Sequence, residues 1–519
     1  MKITKISATI LIILLTITYG SLLAQKTNLI TADLGRHLKN GELFLQNFSV
    51  PQGNLYSYTY PTYHFINHHW SSGVVFYLIY ELTGFIGLST FFIFISLLTF
   101  FIFFNIAIKY SNLAIVAIIS IFIIPVLASR VEIRPEIFSY LFSGVFFWIL
   151  WNYNQEKINH YWLLMLPVIE IIWVNFHIYF FLGPALIGAF LIGELIDYAM
   201  VKNKKTISKL KWFFVTIIAS GFTTLINPAG INGVLYPLKI FKNYGYRIFE
   251  NQSVWFIEKL MSYPPALYFK IIFGILAISW IIAIFMAVKK RTEFSVANFI
   301  ITLAFSAAGF WAIRNFTIFG YFALPIAAIN FKFIVKKELN SSGTNEYFTT
   351  TVLAAIIMII LIIINQDYWR SRDSIGLGLK PEINAAAEFF KEQRIVGPIF
   401  NNYDIGGYLI YYLYPMEKVF VDNRPEAYPD SFFTETYVPM QEDEKKWQEK
   451  LEKYNFNVIF FHKNDLTPWA QAFLIKRISD PDWAPVYVDN YVIMFLKRNE
   501  INQPIIKKYE LPKDMFRVS

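Results

Sequence analysis

Four groups of side chains in this sequence have the types and spacing for chemistry, three of them beside long apolar stretches and the fourth in the C-terminal part. The first is the run Thr31-Ala-Asp33-Leu-Gly-Arg36-His37-Leu-Lys-Asn-Gly41-Glu42. A carboxylate just past an apolar segment sits in a partly dry place, where its proton affinity rises toward the working range, so Asp33 is a candidate general base. Asp is also a preferred N-cap, and a helix beginning near Leu34 would use it that way. Arg36 and His37 follow as candidate substrate contacts. The second group is Asn67-His68-His69-Trp70. Neighbouring residues on a helix point about 100° apart, so His68 and His69 read as substrate contacts, not as a metal pair.

The third group comprises Arg130, Arg134-Pro135-Glu136, Asn175 with His177, and Arg314-Asn315. Arginine grips phosphate through two parallel hydrogen bonds, which makes Arg134 or Arg314 a candidate clamp, with Glu136, Asn175 and His177 as further contacts. The plainer alternatives are snorkelling for Arg130 and Arg314, and the satisfaction of helix ends for Asn175 and His177. The fourth group is Asn401-Asn-Tyr-Asp404-Ile-Gly-Gly-Tyr-Leu together with Val419-Phe-Val-Asp422-Asn-Arg424-Pro-Glu426. It places Asp404, Asp422 and Arg424 at the ends of expected strands, where loops bind ligands. Alternatively Gly406-Gly407 only permit a turn, with Asp404 as a cap.

What must position these residues is a membrane. Of 519 residues, 55% are hydrophobic, 19% aromatic and 16% charged, against about a quarter charged in a globular chain. That composition excludes a disordered chain, a coiled coil and a water-soluble enzyme with one apolar tail. The absence of cysteine excludes disulfides, zinc–thiolate sites, iron–sulfur clusters and cysteine nucleophiles. The net charge of +9 is unevenly spread: residues 1–365 carry 26 Lys and Arg against 14 Asp and Glu, and 366–519 carry 20 against 23. A basic apolar part is what cytoplasmic lysines produce, so the charge points to lipid and not to a nucleic-acid partner.

Apolar spans long enough to cross ~30 Å of hydrocarbon occur at 7–24, 86–108, 112–128, 136–152, 161–176, 179–199, 212–227, 269–288, 296–312, 317–334 and 347–365. About eleven crossings are therefore expected. Lys2 and Lys5, the lysines of 202–211, Lys289-Lys290-Arg291 and Lys336-Lys337 should all be cytoplasmic. This puts the N-terminus inside, and it puts 25–85, 129–135, the 176–179 turn, 228–268, 313–316 and everything after 366 outside. The short apolar stretch 71–84 then reads as an interfacial or re-entrant helix. The first span has an alternative as a cleaved leader. From 366 onward the composition is that of a small α/β domain: helices at 381–393 and 447–454, strands at 398–401, 418–422 and 457–462, and a hairpin of 485–488 and 491–496 turning type I′ at Asp489-Asn490. Two domains follow, 1–365 in the membrane with the first external loop 25–85, and 366–519 outside.

On Asp33-Leu-Gly-Arg-His-Leu-x-x-Gly41, Asn67-His-His-Trp70, Arg134-Pro135 and Trp173-Val-Asn175-Phe-His177, the chain resembles the integral-membrane GT-C glycosyltransferases. Within them it is similar to the bacterial relatives of protein mannosyltransferases and to the aminoarabinose and Rgt-type transferases. The resemblance covers 1–365 in architecture. The segments around Asn402 and Asp422 look like the tail of uncharacterised members. Residues 402–406 faintly resemble the Trp-Trp-Asp-Tyr-Gly motif of oligosaccharyltransferases, but tryptophan is missing, so acceptor-peptide binding is not carried over.

The resemblance implies a polyprenyl-phosphate sugar as donor, inverting transfer on the external face, and a first-loop acid as base, which maps onto Asp33. Many relatives carry a second acid in the first loop or an Asp opening the fourth span; here that place offers Glu132 or Glu136, which leaves a divalent metal's role open. No other cofactor is implied. One base and one or two arginines suffice, because a phosphate leaving group departs as an anion and needs cations, not a general acid. The expectation is thus a multi-pass plasma-membrane glycosyltransferase whose partners are the lipid-linked donor, membrane lipid and an acceptor glycan, lipid or protein. Asp33, Arg134, His177 and Arg314 are expected to share one external cavity. The rivals are a flippase or transporter of a lipid-linked saccharide, starting from Glu170 and Glu194, and a saccharide-binding scaffold. A transporter would favour inverted repeats with broken helices, and the sequence shows none.

The topology is checked by a reporter fused after Ser519. A reporter active only outside the cytoplasm should be on, and activity of a cytoplasm-only reporter would refute the orientation.

Overall fold

The structure, a computed structural model, describes residues 2–201, 204–239, 245–289, 294–335 and 375–516, with isolated positions between 352 and 363. Helices cover each expected apolar span from 7–24 to 317–334, and 347–365 lies largely outside the described residues. They are α1 (Lys2–Leu23), α2 (Leu34–Asn47), α3 (Trp70–Tyr110), α4 (Leu113–Leu127), α5 (Glu136–Asn154), α6 (Met165–Phe176), α7 (Leu182–Val201), α8 (Lys204–Thr223), α9 (Ile231–Lys239), α10 (Val254–Leu260), α11 (Pro264–Val288), α12 (Val296–Trp311) and α13 (Phe316–Val335). By length and composition, Trp70–Tyr110, Ile178–Met200 and Pro264–Val288 can cross a membrane; Ala8–Leu23, Leu113–Leu127, His160–Phe176 and Val296–Trp311 are shorter apolar helices. The α3 helix breaks at Gly84, whose φ of 65° and ψ of −165° suit a residue without Cβ. That break falls where the sequence separates the short stretch 71–84 from the span 86–108.

The chain divides into two compact units. The first comprises Met1–Gln25, Ser89–Val234 and Ile248–Leu377. Its helices are joined by aromatic packing, such as Phe269 stacked on Phe316 at 4.4 Å and Phe103 on Tyr321 at 5.2 Å. The Tyr19 and Tyr321 hydroxyls share a buried hydrogen bond of 2.9 Å.

The second unit comprises Lys26–Leu88, Leu235–Arg247 and Gly378–Ser519, so from Lys26 the first loop belongs with the C-terminal domain. Its sheet runs β1 (Ile399–Asn401), β2 (Val458–His462), β4 (Val492–Lys497), β3 (Trp483–Val488), parallel between β1 and β2 and antiparallel elsewhere. Helices α14 (Ala385–Glu392), α15 (Gly406–Leu413), α16 (Glu444–Tyr454), α17 (Ala470–Ser479) and α18 (Gln503–Tyr509) complete the α/β domain. Phe400, Phe420, Trp447, Phe456 and Phe473 fill its core.

Two local expectations are corrected. Residues 418–422 form no strand: Val419 makes one bridge, to Ser57, because Asn401 and Ser57 take up the polar groups of this segment with side chains. The hairpin does not turn type I′, since neither Asp489 nor Asn490 has the positive φ that turn requires. Instead the Asp489 carboxylate accepts from the amides of Tyr491 and Val492, an Asx-type closure.

Glycines set how closely the helices of the second unit approach. A Cβ on Gly41 would lie 2.2 Å from the Gly73 carbonyl oxygen, so α2 meets the first half of α3 backbone to backbone. A Cβ on Gly35 would lie 2.7 Å from the Gly407 carbonyl oxygen, which fixes α2 against α15. Gly406 is likewise pressed on Asp422, with 2.4 Å from its missing Cβ to the Asp422 Cα. Gly35→Val and Gly41→Val should each destabilise the purified protein by about 1–3 kcal/mol through overpacking. Gly221→Ala, with open space at its Cβ, should be neutral or stabilising; thermal unfolding in lipid compares them.

Candidate functional site

Asp33 precedes α2 in helical conformation, φ −68° and ψ −8°, and its side chain makes no capping bond. It therefore does not act as the cap its position permitted. One carboxylate oxygen instead accepts a short hydrogen bond from Nδ2 of Asn423. The same amide accepts from Arg36 Nε at 3.3 Å through its oxygen. Asn423 thus links the acid to the guanidinium three residues on, and Gly407 leaves it room: a Cβ there would be 3.1 Å from Nδ2.

The neighbours of Asn423 form a strut. Asp422 and Arg424 are 0% and 1% exposed, and Arg424 donates through Nε and Nη2 to the two Asp422 oxygens at 2.7 and 2.6 Å. Arg424 Nη2 also reaches Asn54 Oδ1 at 2.6 Å, the Tyr428 hydroxyl donates to Asp422 at 3.1 Å, and the guanidinium lies over the Phe65 and Tyr56 rings. A buried pair with its hydrogen bonds filled is a structural device; these two residues hold Asn423 in place. Burial pushes the Glu426 carboxyl up, and Arg36 and Arg424 offset part of that. Tyr403 is raised by burial and by Glu426, Asp33, Asp404 and Asp422, so four carboxylates bear on its ring. Asp404 makes no cap for α15, which starts after Ile405 without a side-chain cap. His37, His68 and His69 gather in the same unit, with ring centroids 5.5 Å apart for His37 and His69 and 3.9 Å for His68 and His69. Among the described residues no three His, Asp or Glu side chains are grouped as a metal ion would need.

The arginines of the third group meet in the first unit. Arg130 donates to Glu136 through Nε at 3.2 Å and Nη2 at 2.5 Å, and through Nη1 to Glu250. Arg134 donates to Glu132 at 2.7 Å and to Glu250 at 2.7 Å. Arg314 reaches Glu136 at 3.2 Å and Asn251 Oδ1 at 3.0 Å. Burial alone would raise Glu250, but Arg130, Arg134 and Arg314 hold it below the usual carboxylate range. Beside this cluster lies a narrow recess lined by Arg130, Arg134, Glu136, Tyr140, Ser96 and Tyr321 among others.

His177 and Asn175 serve helix ends. His177 shares a hydrogen bond of 2.8 Å with Ser139 Oγ and caps the turn Ile178–Phe181, and Asn175 donates to the carbonyls of Ile171 and Ile226. Glu170 is wholly buried with neither carboxyl oxygen hydrogen-bonded, and Glu194 lies 3.8 Å from Lys209.

The structure thus sorts the expected residues into two groups. Asp33, Arg36, His37, His68, His69, Asp404, Asp422 and Arg424 are in the second unit; Arg134, Glu136, Asn175, His177 and Arg314 are in the first. Sequence reasoning missed Asn423 and Glu250, and took Arg130 for a snorkelling residue. Asn423 stood inside a noted motif; Glu250 had no local signal.

No family profile and no curated protein sequence matches the chain. Solved structures do. The Archaeoglobus fulgidus oligosaccharyltransferase in the apo form is 12% identical, with a TM-score of 0.60 over 96% of this chain and 74% of that one. The oligosaccharyltransferase AglB from Archaeoglobus fulgidus, in complex with an inhibitory peptide and a dolichol-phosphate, is 11% identical, with 0.60 over 92% and 72%. ArnT from Cupriavidus metallidurans in the apo state is 12% identical, with 0.53 over 97% and 99%.

If Asp422 and Arg424 are a strut, Arg424→Met should cost about 3–5 kcal/mol by stranding a buried carboxylate. Adding Asp422→Asn should recover part of that loss, which thermal unfolding of the single and double variants measures.

Proposed function

We propose, from the GT-C fold that this chain shares with those proteins, that it is a membrane glycosyltransferase. It would move a sugar from a polyprenyl-phosphate donor to an acceptor on the external face, with inversion at the anomeric carbon. The observation that carries the reading is the state of Asp33: the carboxylate is released from capping and is oriented by Asn423. A base so held can take the proton of an acceptor hydroxyl as the hydroxyl attacks the anomeric carbon. The phosphate leaves as an anion, and arginine is the side chain suited to receive it in a bidentate manner. Arg130, Arg134 and Arg314 supply that charge, and Arg130 and Arg134 line a narrow recess. AglB is described with a dolichol-phosphate, a ligand of the same chemical class. The plasma membrane as location, the cytoplasmic N-terminus and the external C-terminal domain belong to this proposal. So do contacts of Arg36, His37, His68, His69 and Asp404 with donor or acceptor.

A strain lacking the protein should accumulate one lipid-linked sugar, identified by mass spectrometry of extracted lipids. The wild-type chain should clear it. Asp33→Asn should not, losing about 10²–10⁴ in rate while thermal stability is kept, because the amide preserves shape but takes no proton. Arg314→Ala should weaken donor binding instead, by about 1–3 kcal/mol. Clearance by the Asn variant at the wild-type rate would remove Asp33 as base.

A further inference from the structure

A phosphate clamp should offer open guanidinium edges, yet in this structure two of them are already taken by a carboxylate. Glu250 accepts from Arg130 Nη1 with one oxygen and from Arg134 Nη1 at 2.7 Å with the other. An anion bridging two guanidinium groups is the geometry by which arginines hold a phosphate. We propose that Glu250 occupies, as part of the chain, the seat of the donor's lipid phosphate, and that the donor binds by displacing it. This rests on the reading that these arginines receive that phosphate.

Three acids meet the three arginines, and they differ in what holds them. Glu136 opens the long helix α5, is 4% exposed, and also accepts from the Tyr140 hydroxyl at 2.9 Å. Glu132 is two residues from Arg134 on the same short connection, and its side chain is 40% exposed. Glu250 sits on a three-residue turn, Phe249–Asn251, remote in sequence from both. Three further contacts among the described residues tie that turn down: Arg314 Nη1 to Asn251, the Ile313 amide to the Gln252 carbonyl, and the Phe249 ring edge-on to Tyr263 at 6.4 Å. Of the three acids, Glu250 is therefore the one that can leave with its own segment.

Exchange is the physically available route. Arg130, Arg134 and Arg314 hold Glu250 ionised across the physiological range, so protonation does not free the arginines. Opening the turn without replacement would leave one edge of each part-buried guanidinium without its acceptor, although Glu136 and Glu132 keep the others. The donor's phosphodiester presents one negative charge on two free oxygens, as the carboxylate does, so it can take over both edges as the turn withdraws, and the polyprenyl phosphate released after transfer, a monoester with a further charge and a third free oxygen, can hold the same seat. Glu250 then guards the seat against weaker anions and sets the affinity for the donor.

The test uses the full chain in nanodiscs, titrated with undecaprenyl phosphate, with undecaprenol and inorganic phosphate as separate arms. Glu250→Gln should bind undecaprenyl phosphate about tenfold more tightly, with Arg134→Ala losing binding and undecaprenol indifferent to both. A matching gain for inorganic phosphate would show that the headgroup alone is read, and its absence that the lipid chain is also needed; either agrees with displacement. Unchanged or weaker binding by Glu250→Gln, with binding still lost in Arg134→Ala, would overturn the displacement and leave the clamp standing. Wild-type binding by Arg134→Ala would instead sink the clamp itself. A second measurement does not depend on the Gln variant folding. The chain has no cysteine, so Phe249→Cys places a single thiol on the turn, and a water-soluble maleimide should react with it several-fold faster once undecaprenyl phosphate is bound. An unchanged rate would overturn the proposal.

Discussion

A guanidinium taken out of water must meet an anion, because the cost of leaving it unpaired exceeds most single contributions to stability. Four arginines of this chain obey that constraint, and much of the structure follows from it. Arg424 is satisfied permanently by Asp422 and Asn54, which makes a fixed strut. Arg130, Arg134 and Arg314 are satisfied by Glu132, Glu136 and Glu250, which come from two separate stretches of chain. The first arrangement is closed and rigid. The second includes an acid on a short turn, so it can exchange that partner for another anion.

The strut matters for Asp33 through one intervening residue. Asn423 lies between Asp422 and Arg424, and their buried pairing fixes the backbone from which its amide reaches the acid. The reach is short because glycines let the backbones close in: Gly35 against Gly407, and Gly406 against Asp422. Steric permission, an ion pair and one amide together take a carboxylate that could have capped a helix and pair it with Asn423, the placement the proposed base role calls for.

Much of this fold was legible in the sequence because its signals are local and strong. Apolar runs long enough to span lipid marked the helices, and the interruption near Gly84 marked the break in α3. The strands around 399–401 and 458–462 were visible as short apolar runs. The failures were also physical. Residues 418–422 look like a strand, but side chains satisfy their polar groups, and Asp489 closes its turn by its carboxylate. The site was half legible. Residue types named Asp33, Arg134 and Arg314, whereas their partners depend on contacts that no spacing reveals. Asn423 is 390 residues from Asp33, and Glu250 is 116 from Arg134. Arg130 looked like an interfacial arginine because its alternative partner, Glu250, could not be seen from its own neighbourhood.

The most direct test of the account is an experimental density map of the full chain in nanodiscs saturated with undecaprenyl phosphate. Phosphate density bridging Arg130 and Arg134, with the Glu250 carboxylate withdrawn from both, is the expected result. Phosphate bound elsewhere, with Glu250 still on the two arginines, would contradict it.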